Sequence, residues 1–153
     1  MKRLTRRYII KNLDNIPISE GIPYERYYIN DNLRIQNKGG IFEKEILDDN
    51  NVIINKSYIT ANEFNELKDK SYAEIIRESY IYLNDNRVSI KRYLGKYSGL
   101  YRVEVKFLTA EEMEDYQKEY WMGNEISDSN LAFDKYLSKL DRNEFLEEMS
   151  IYL

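Results

Sequence analysis

The sequence predicts an α+β fold: an antiparallel barrel or tunnel of about eight strands with helices flanking it. Three observations lead there. Apolar and polar residues alternate in short runs, the period-2 pattern of half-buried strands. The early runs are joined by turn residues (Asn30-Asp31-Asn32, Lys38-Gly39-Gly40) rather than by helical crossovers, so sequential strands pair antiparallel. Helix-start signals occur at only a few places, between or after hairpins.

Strands are predicted at 5–10, 24–29, 33–37, 41–47 and 52–57. The long connection 13–23 holds both prolines, Pro17 and Pro23. Thr60 with Glu63 is a capping box, and Phe64 and Leu67 give the helix it opens an apolar stripe. Residues 72–80 fit a helix by the spacing of Ile75, Ile76 and Tyr80. A strand over 75–83 is preferred, because Lys68-Asp69-Lys70-Ser71 reads as a stop and the segment is rich in Ile and Tyr. After the turn Asn84-Asp85-Asn86 comes a hairpin across 89–107, turning around Gly95, Ser98 and Gly99. Its second strand sends Val103, Val105 and Phe107 to one face and Arg102, Glu104 and Lys106 to the other. Thr109 with Glu112 starts a helix running to about residue 118, Asp128 or Ser129 caps one running to 140, and Asp141 with Glu144 opens a last amphipathic helix. No linker or repeat divides the chain. Residues 1–140 are expected to form the tunnel domain and 141–153 a helix packed on it.

Composition restricts the chemistry. Of 153 residues, 42% are hydrophobic and 33% charged, with a net charge of −4, so no global basic field favours duplex nucleic acid. No apolar run approaches the roughly 20 residues that span a bilayer. The N-terminal basic stretch has too short an apolar run for a signal peptide, so a cytoplasmic location is expected. The chain has no cysteine and no histidine. The commonest general base and the commonest metal ligand are therefore both missing, and any catalysis falls to carboxylates, Lys, Arg, Tyr, hydroxyls or an oxygen-ligated metal. The 15 tyrosines accompany many Ile, Asn and Lys residues, as AT-rich codons produce.

Charges recur at alternate strand positions: Arg3, Thr5 and Arg7; Arg34 and Gln36; Lys91 with Tyr93; Glu104 and Lys106. A sheet that turns such residues into a concave space makes a site for polyanions, because clustered cations need an anion to balance them. The order of elements then resembles the CYTH superfamily, the triphosphate tunnel metalloenzymes. Arg6-Arg7-Tyr8-Ile9-Ile10 is similar to the family's Arg-Lys-Phe-Leu-Val, 23–28 to its Ile-x-Gln-x-Tyr-Leu strand, and Leu33-Arg34-Ile35-Gln36 to its Val-Arg-Ile-Arg. Residues 41–45 take the place of its Leu-Thr-Ile-Lys strand, which puts Lys44 at the lysine, and Arg77 falls where a lysine is expected. Gly95, Gly99-Leu100 and Glu104 resemble its second hairpin, and 121–127 its closing Trp-Leu-Gly-x-Glu-Val-Thr. The likeness runs from Arg3 to about residue 140.

The resemblance implies a tunnel in which basic residues hold phosphates and acids hold Mg²⁺ or Mn²⁺. The acids are where this chain departs. The first two fall on Arg3 and Thr5, another on Lys91, and Lys106 replaces one member of the Glu-x-Glu pair, leaving Glu104. The strand that should read Arg-x-Glu-x-Glu has only Val52, Ile54 and Lys56. A hard divalent ion wants several oxygen ligands, so no cofactor is expected. The leading expectation is a catalytically degenerate protein, without turnover, that binds a phosphorylated small molecule (a nucleotide, a cyclic oligonucleotide or a polyphosphate). Its binding residues would be Arg3, Arg7, Arg34, Lys44, Arg77, Lys91, Glu104 and Lys106. Two alternatives stand beside it. One is an active triphosphatase with a displaced Mg²⁺ or Mn²⁺ site on Glu104 with Glu43 or Glu45, and Glu25. The other is a protein-interaction module whose tunnel is closed by internal ion pairs. No membrane partner is expected.

Overall fold

A computed structural model describes residues 4–153. Among these, eight strands form one antiparallel sheet: β1 (Thr5–Ile10), β2 (Ile22–Asn30), β3 (Leu33–Lys38), β4 (Ile41–Leu47), β5 (Ile53–Tyr58), β6 (Ala73–Ile81), β7 (Val88–Leu94) and β8 (Tyr101–Lys106). The helices are α1 (Ala61–Lys68), α2 (Ala110–Asp115), α3 (Asp134–Leu137) and α4 (Arg142–Tyr152). The ambiguous 72–83 segment is a strand, β6, paired with both β2 and β7. The β3–β4 turn uses Gly39 at φ +57° and Gly40 at +97°, the two positive values that a tight hairpin turn demands.

Strand order is β1-β8-β7-β6-β2-β3-β4-β5, so the two edge strands are not hydrogen-bonded to each other. The sheet nevertheless curls, because residues of both edge strands line the same cavity. The expected barrel is thus an open tunnel. The free edge of β1 is sealed by the segment after Trp121: Gly123 N donates to Ile9 O at 2.9 Å, Ile9 N to Asn124 O at 2.9 Å, and Ile126 N to Arg7 O at 2.8 Å.

Three apolar clusters hold the curl. On the outer face, Tyr8, Ile90, Val103 and Val105 pack under α2 and the 116–122 segment, where Trp121 lies against Tyr82 with ring centroids 5.0 Å apart. Phe64 of α1 packs on Tyr27 and Ile35 of β2 and β3. On the inner face, Ile9, Tyr28, Ile75, Tyr93 and Leu100 meet Leu131, Leu137, Phe145 and Met149. This last cluster stops one end of the tunnel with α3 and α4. The Asp141–Glu144 capping box that starts α4 is complete.

Two helices are shorter than the spacing predicts. α2 ends at Asp115, where Tyr116 turns extended (φ −63°, ψ 128°) and packs on Phe107. The helix expected across 129–140 is broken. Ser129 caps a single 3₁₀ turn over Asn130–Ala132, Phe133 is extended (φ −131°, ψ 134°), and α3 begins only at Asp134. The Phe133 ring lies 4.3 Å from the Arg7 guanidinium carbon, a contact that a continuous helix would not supply.

The seal on β1 leaves no room for a side chain at Gly123. An added Cβ would sit 2.3 Å from Ile9 O, a backbone atom that cannot swing aside. Gly123→Ala is expected to destabilise the fold by about 1–3 kcal/mol, read as a lower urea midpoint. An unchanged midpoint would show the seal to be dispensable.

Candidate functional site

Strand alternation and the cross-strand register decide what faces the tunnel. Arg7 is opposite Glu104, Tyr24 opposite Arg77, Arg26 opposite Gln36, and Arg34 opposite Glu45. Beyond the apolar plug these side chains enclose a cavity of about 430 Å³. Its wall carries five arginines (Arg7, Arg26, Arg34, Arg77, Arg102) and four lysines (Lys38, Lys56, Lys91, Lys106) against three carboxylates (Glu45, Glu104, Asp134), a formal excess of six positive charges.

The carboxylates sit deep. Asp134 Oδ2 accepts from Arg26 Nη1 at 2.7 Å and Arg77 Nε at 3.2 Å. Its Oδ1 accepts from Tyr93 Oη at 2.6 Å and Arg102 Nη2 at 3.2 Å. Glu104 pairs with Arg102 at 3.0 Å and Arg7 at 3.3 Å. Glu45 pairs with Arg34 at 2.8 Å, and Lys56 lies 3.3 Å from Glu43 and 3.6 Å from Glu45. Gln36 links two charges, accepting from Arg26 Nε at 2.9 Å and donating to Glu43 at 2.7 Å. Arg7 also donates to Ala132 O. Burial works against the ionised form of Asp134, but Arg77, Arg102 and Arg26 outweigh it and hold the carboxyl well below its ordinary range. For Glu104, Arg7, Arg102, Lys91 and Arg77 do the same. Burial raises the Tyr93 hydroxyl well above its ordinary value, so it stays a donor.

Three of the cavity lysines lack a direct carboxylate partner. Lys38, Lys91 and Lys106 form no ion pair with a carboxylate among the described residues. Lys38 lies 5.8 Å from the Tyr24 ring centroid, and Lys91 Nζ donates to Ser89 Oγ at 3.3 Å. Burial lowers the Lys91 ammonium to about 7; Glu104 raises it, while Arg77 and Arg102 press it down further. Tyr24 stacks on Arg77, 4.2 Å from ring centroid to guanidinium carbon.

Six residues named from the sequence (Arg7, Arg34, Arg77, Lys91, Glu104 and Lys106) surround this one cavity. Arg3 lies outside the described residues. Lys44 does not join them. Glu43 and Glu45 pair across to Gln36 and Arg34 on the tunnel side, so Lys44 points the opposite way, opposite Ile35 on the outer face. A one-residue difference in parity moves a side chain through the sheet. The residues missed are Arg26, Lys38, Lys56, Arg102 and Asp134. Alternation alone puts Arg102 beside Glu104 and Lys106, and Arg26 between Tyr24 and Tyr28. Asp134 had no such signal.

Beside Glu104, the buried carboxylates around the tunnel are Glu43 and Glu45, named in the alternative reading, and Asp134. Each is engaged by Arg, Lys or Gln, and among the described residues no three acidic groups gather as a metal site would need.

No protein-family model matches the chain, and no curated protein matches it in sequence. Solved structures do match in shape. A crystal structure of the inorganic triphosphatase NE1496 superposes with a TM-score of 0.71 at 16% identity, covering 90% of this chain and 95% of that one. A second structure of NE1496, described as a hypothetical protein, gives 0.73 at 16% identity, covering 92% and 99%. The chain therefore has the triphosphate-tunnel fold, as the sequence motifs imply. No helix among the described residues is long and apolar enough to cross a membrane.

Lys91 makes the site's electrostatics testable. Its folded value, about 7, lies below the ordinary 10.5. Between those values the unfolded chain binds more protons, so this group makes stability rise with pH across that window and is most costly below it. Lys91→Met is expected to remove a slope of at most about 1.4 kcal/mol per pH unit, measured by urea unfolding at about pH 7, 8 and 9. Parallel profiles for the two proteins would contradict the assignment.

Proposed function

We propose that the cavity binds a phosphorylated small molecule, a polyphosphate chain or a nucleotide polyphosphate, without a divalent ion and without turning it over. The observation that carries this is the cavity wall, on which nine Arg and Lys side chains face three carboxylates and Lys38 and Lys106 have no carboxylate partner among the described residues. Like charges held together in a half-desolvated space favour an anion of matching charge. Backbone-fixed cations on a curled sheet suit an extended chain of phosphates, and Arg side chains add planar two-point contacts to phosphate oxygens. NE1496, which shares the fold, is an inorganic triphosphatase, and that supports a phosphate ligand here.

The other two readings have less support. A displaced metal site would use Glu43 and Glu45, which Lys56, Arg34 and Gln36 already hold. A tunnel closed by internal pairs would need Lys91 and Lys106 neutralised as Arg34 is. Instead the cavity is open, and among the described residues neither of those two forms an ion pair of the kind Arg34 makes with Glu45.

Calorimetry with tripolyphosphate, ATP and a cyclic dinucleotide at low salt, with and without EDTA, tests the reading. At least one is expected to bind, unaffected by EDTA and progressively weakened by salt. Lys38→Ala and Lys106→Ala are each expected to weaken binding roughly tenfold. Binding of none of the three would overturn the reading. Phosphate release with Mg²⁺ or Mn²⁺ that is lost in Glu104→Gln would replace it with the triphosphatase.

A further inference from the structure

We propose that Asp134 sets the ligand length of this cavity: its carboxylate stands, as part of the chain, where the innermost anionic group of a longer ligand would otherwise lie. The inference rests on the phosphate-binding reading above and names its specificity.

The geometry around Asp134 is that of an oxyanion receptor already filled. Two oxygens accept four hydrogen bonds, from Arg26 on β2, Arg77 on β6, Tyr93 on β7 and Arg102 on β8. These four strands are consecutive in the sheet. Three guanidiniums and a phenol converging from a curved wall onto two oxygens is an arrangement suited to a phosphate. Here the anion is supplied from within, and the Asp134 side chain is 1% exposed.

Its position explains how length would be read. Along the inner face the plug ends with Ile9, Leu100, Tyr93, Ile75 and Tyr28. Asp134 lies at that boundary, carried by the break in the helical segment at Phe133. Outward of it, Lys38 and Lys106 line the cavity without a carboxylate partner among the described residues. The inner end is therefore already occupied by a carboxylate that three arginines share, while those two lysines have none. A ligand gains from phosphates placed at the rim. A further phosphate directed inward meets a carboxylate in place of the arginines, and like charges close together repel.

The substitution Asp134→Asn keeps the shape and removes the charge. It leaves Arg26, Arg77 and Arg102 short of their main counter-charge, so the unliganded variant is expected to melt lower than the wild type. A longer polyphosphate would supply the missing charge.

The test measures diphosphate, tripolyphosphate and tetrapolyphosphate affinity for both proteins, with melting curves at each ligand concentration. In the wild type, affinity is expected to level off with chain length. In Asp134→Asn, tetrapolyphosphate is expected to gain at least tenfold over wild type while diphosphate changes little, and the melting temperature to recover on adding the longer chain. Wild-type binding with an unchanged length profile in the variant overturns this inference and leaves the phosphate-binding reading intact. Absence of binding in both proteins overturns both. Should Asp134→Asn not fold, the wild type still decides: affinity that climbs tenfold or more with every added phosphate from di- to tetrapolyphosphate is incompatible with an occupied inner end.

Discussion

Five arginines enter one enclosed space from β1, β2, β3, β6 and β8, and the structure depends on how their charge is answered. A buried guanidinium left without a counter-charge costs several kcal/mol, whereas a pair with good hydrogen bonds roughly breaks even. The chain answers with carboxylates from three different sources. Glu104 is a strand neighbour of Arg102, two residues along the same face. Glu45 is the cross-strand partner of Arg34. Asp134 comes from outside the sheet and reaches Arg26, Arg77 and Arg102 together. The broken helix, the extended Phe133 and the neutral Tyr93 hydroxyl are all consistent with that requirement.

The two faces of the sheet divide the work. The outer face is closed by aromatic and β-branched packing under α1, α2 and the 116–122 segment. The inner face is apolar only where α3 and α4 cover it. The polar wall is therefore held from behind by packed side chains and at its floor by a plug, so the inward cations need no ligand to stay in place. A preorganised wall of this kind loses little conformational freedom when an anion arrives.

How much of this was legible in the sequence follows from the range of each interaction. Strand alternation is local, so β1 to β5, β7 and β8 and five of the six cavity residues can be read from it, Arg77 coming from the family motif instead. Capping boxes are local too, and Thr60, Thr109 and Asp141 mark helix starts as written. Lys44 lies on the outer face because the pairing of Glu43 with Gln36, rather than the family motif, sets parity within β4. Asp134 was not legible at all. Leu131 and Leu137 fit a continuous helix, and nothing nearby announces that Phe133 will leave helical geometry to meet Arg7 from β1. That choice depends on residues more than a hundred positions away.

The positions where tunnel acids would be expected carry Lys91 and Lys106, and this bears on what the cavity can do. A fixed ammonium supplies charge to a phosphate but does not act as a Lewis acid, so it neither polarises a bridging oxygen as a divalent ion does nor lowers the pKa of a bound water. The remaining carboxylates are poor replacements, because Glu104 and Asp134 are held as counter-ions by arginines and their pull on a proton is correspondingly weak. A group whose pKa lies far below neutrality is an inefficient general base. With no histidine in the chain, Lys91 is the cavity side chain whose proton is in play near pH 7. Its protonation is favoured by an arriving anion, so a bound phosphate would convert it from a potential base into one more cation. On the phosphate-binding reading proposed above, an anion would thus be held more firmly once Lys91 is protonated.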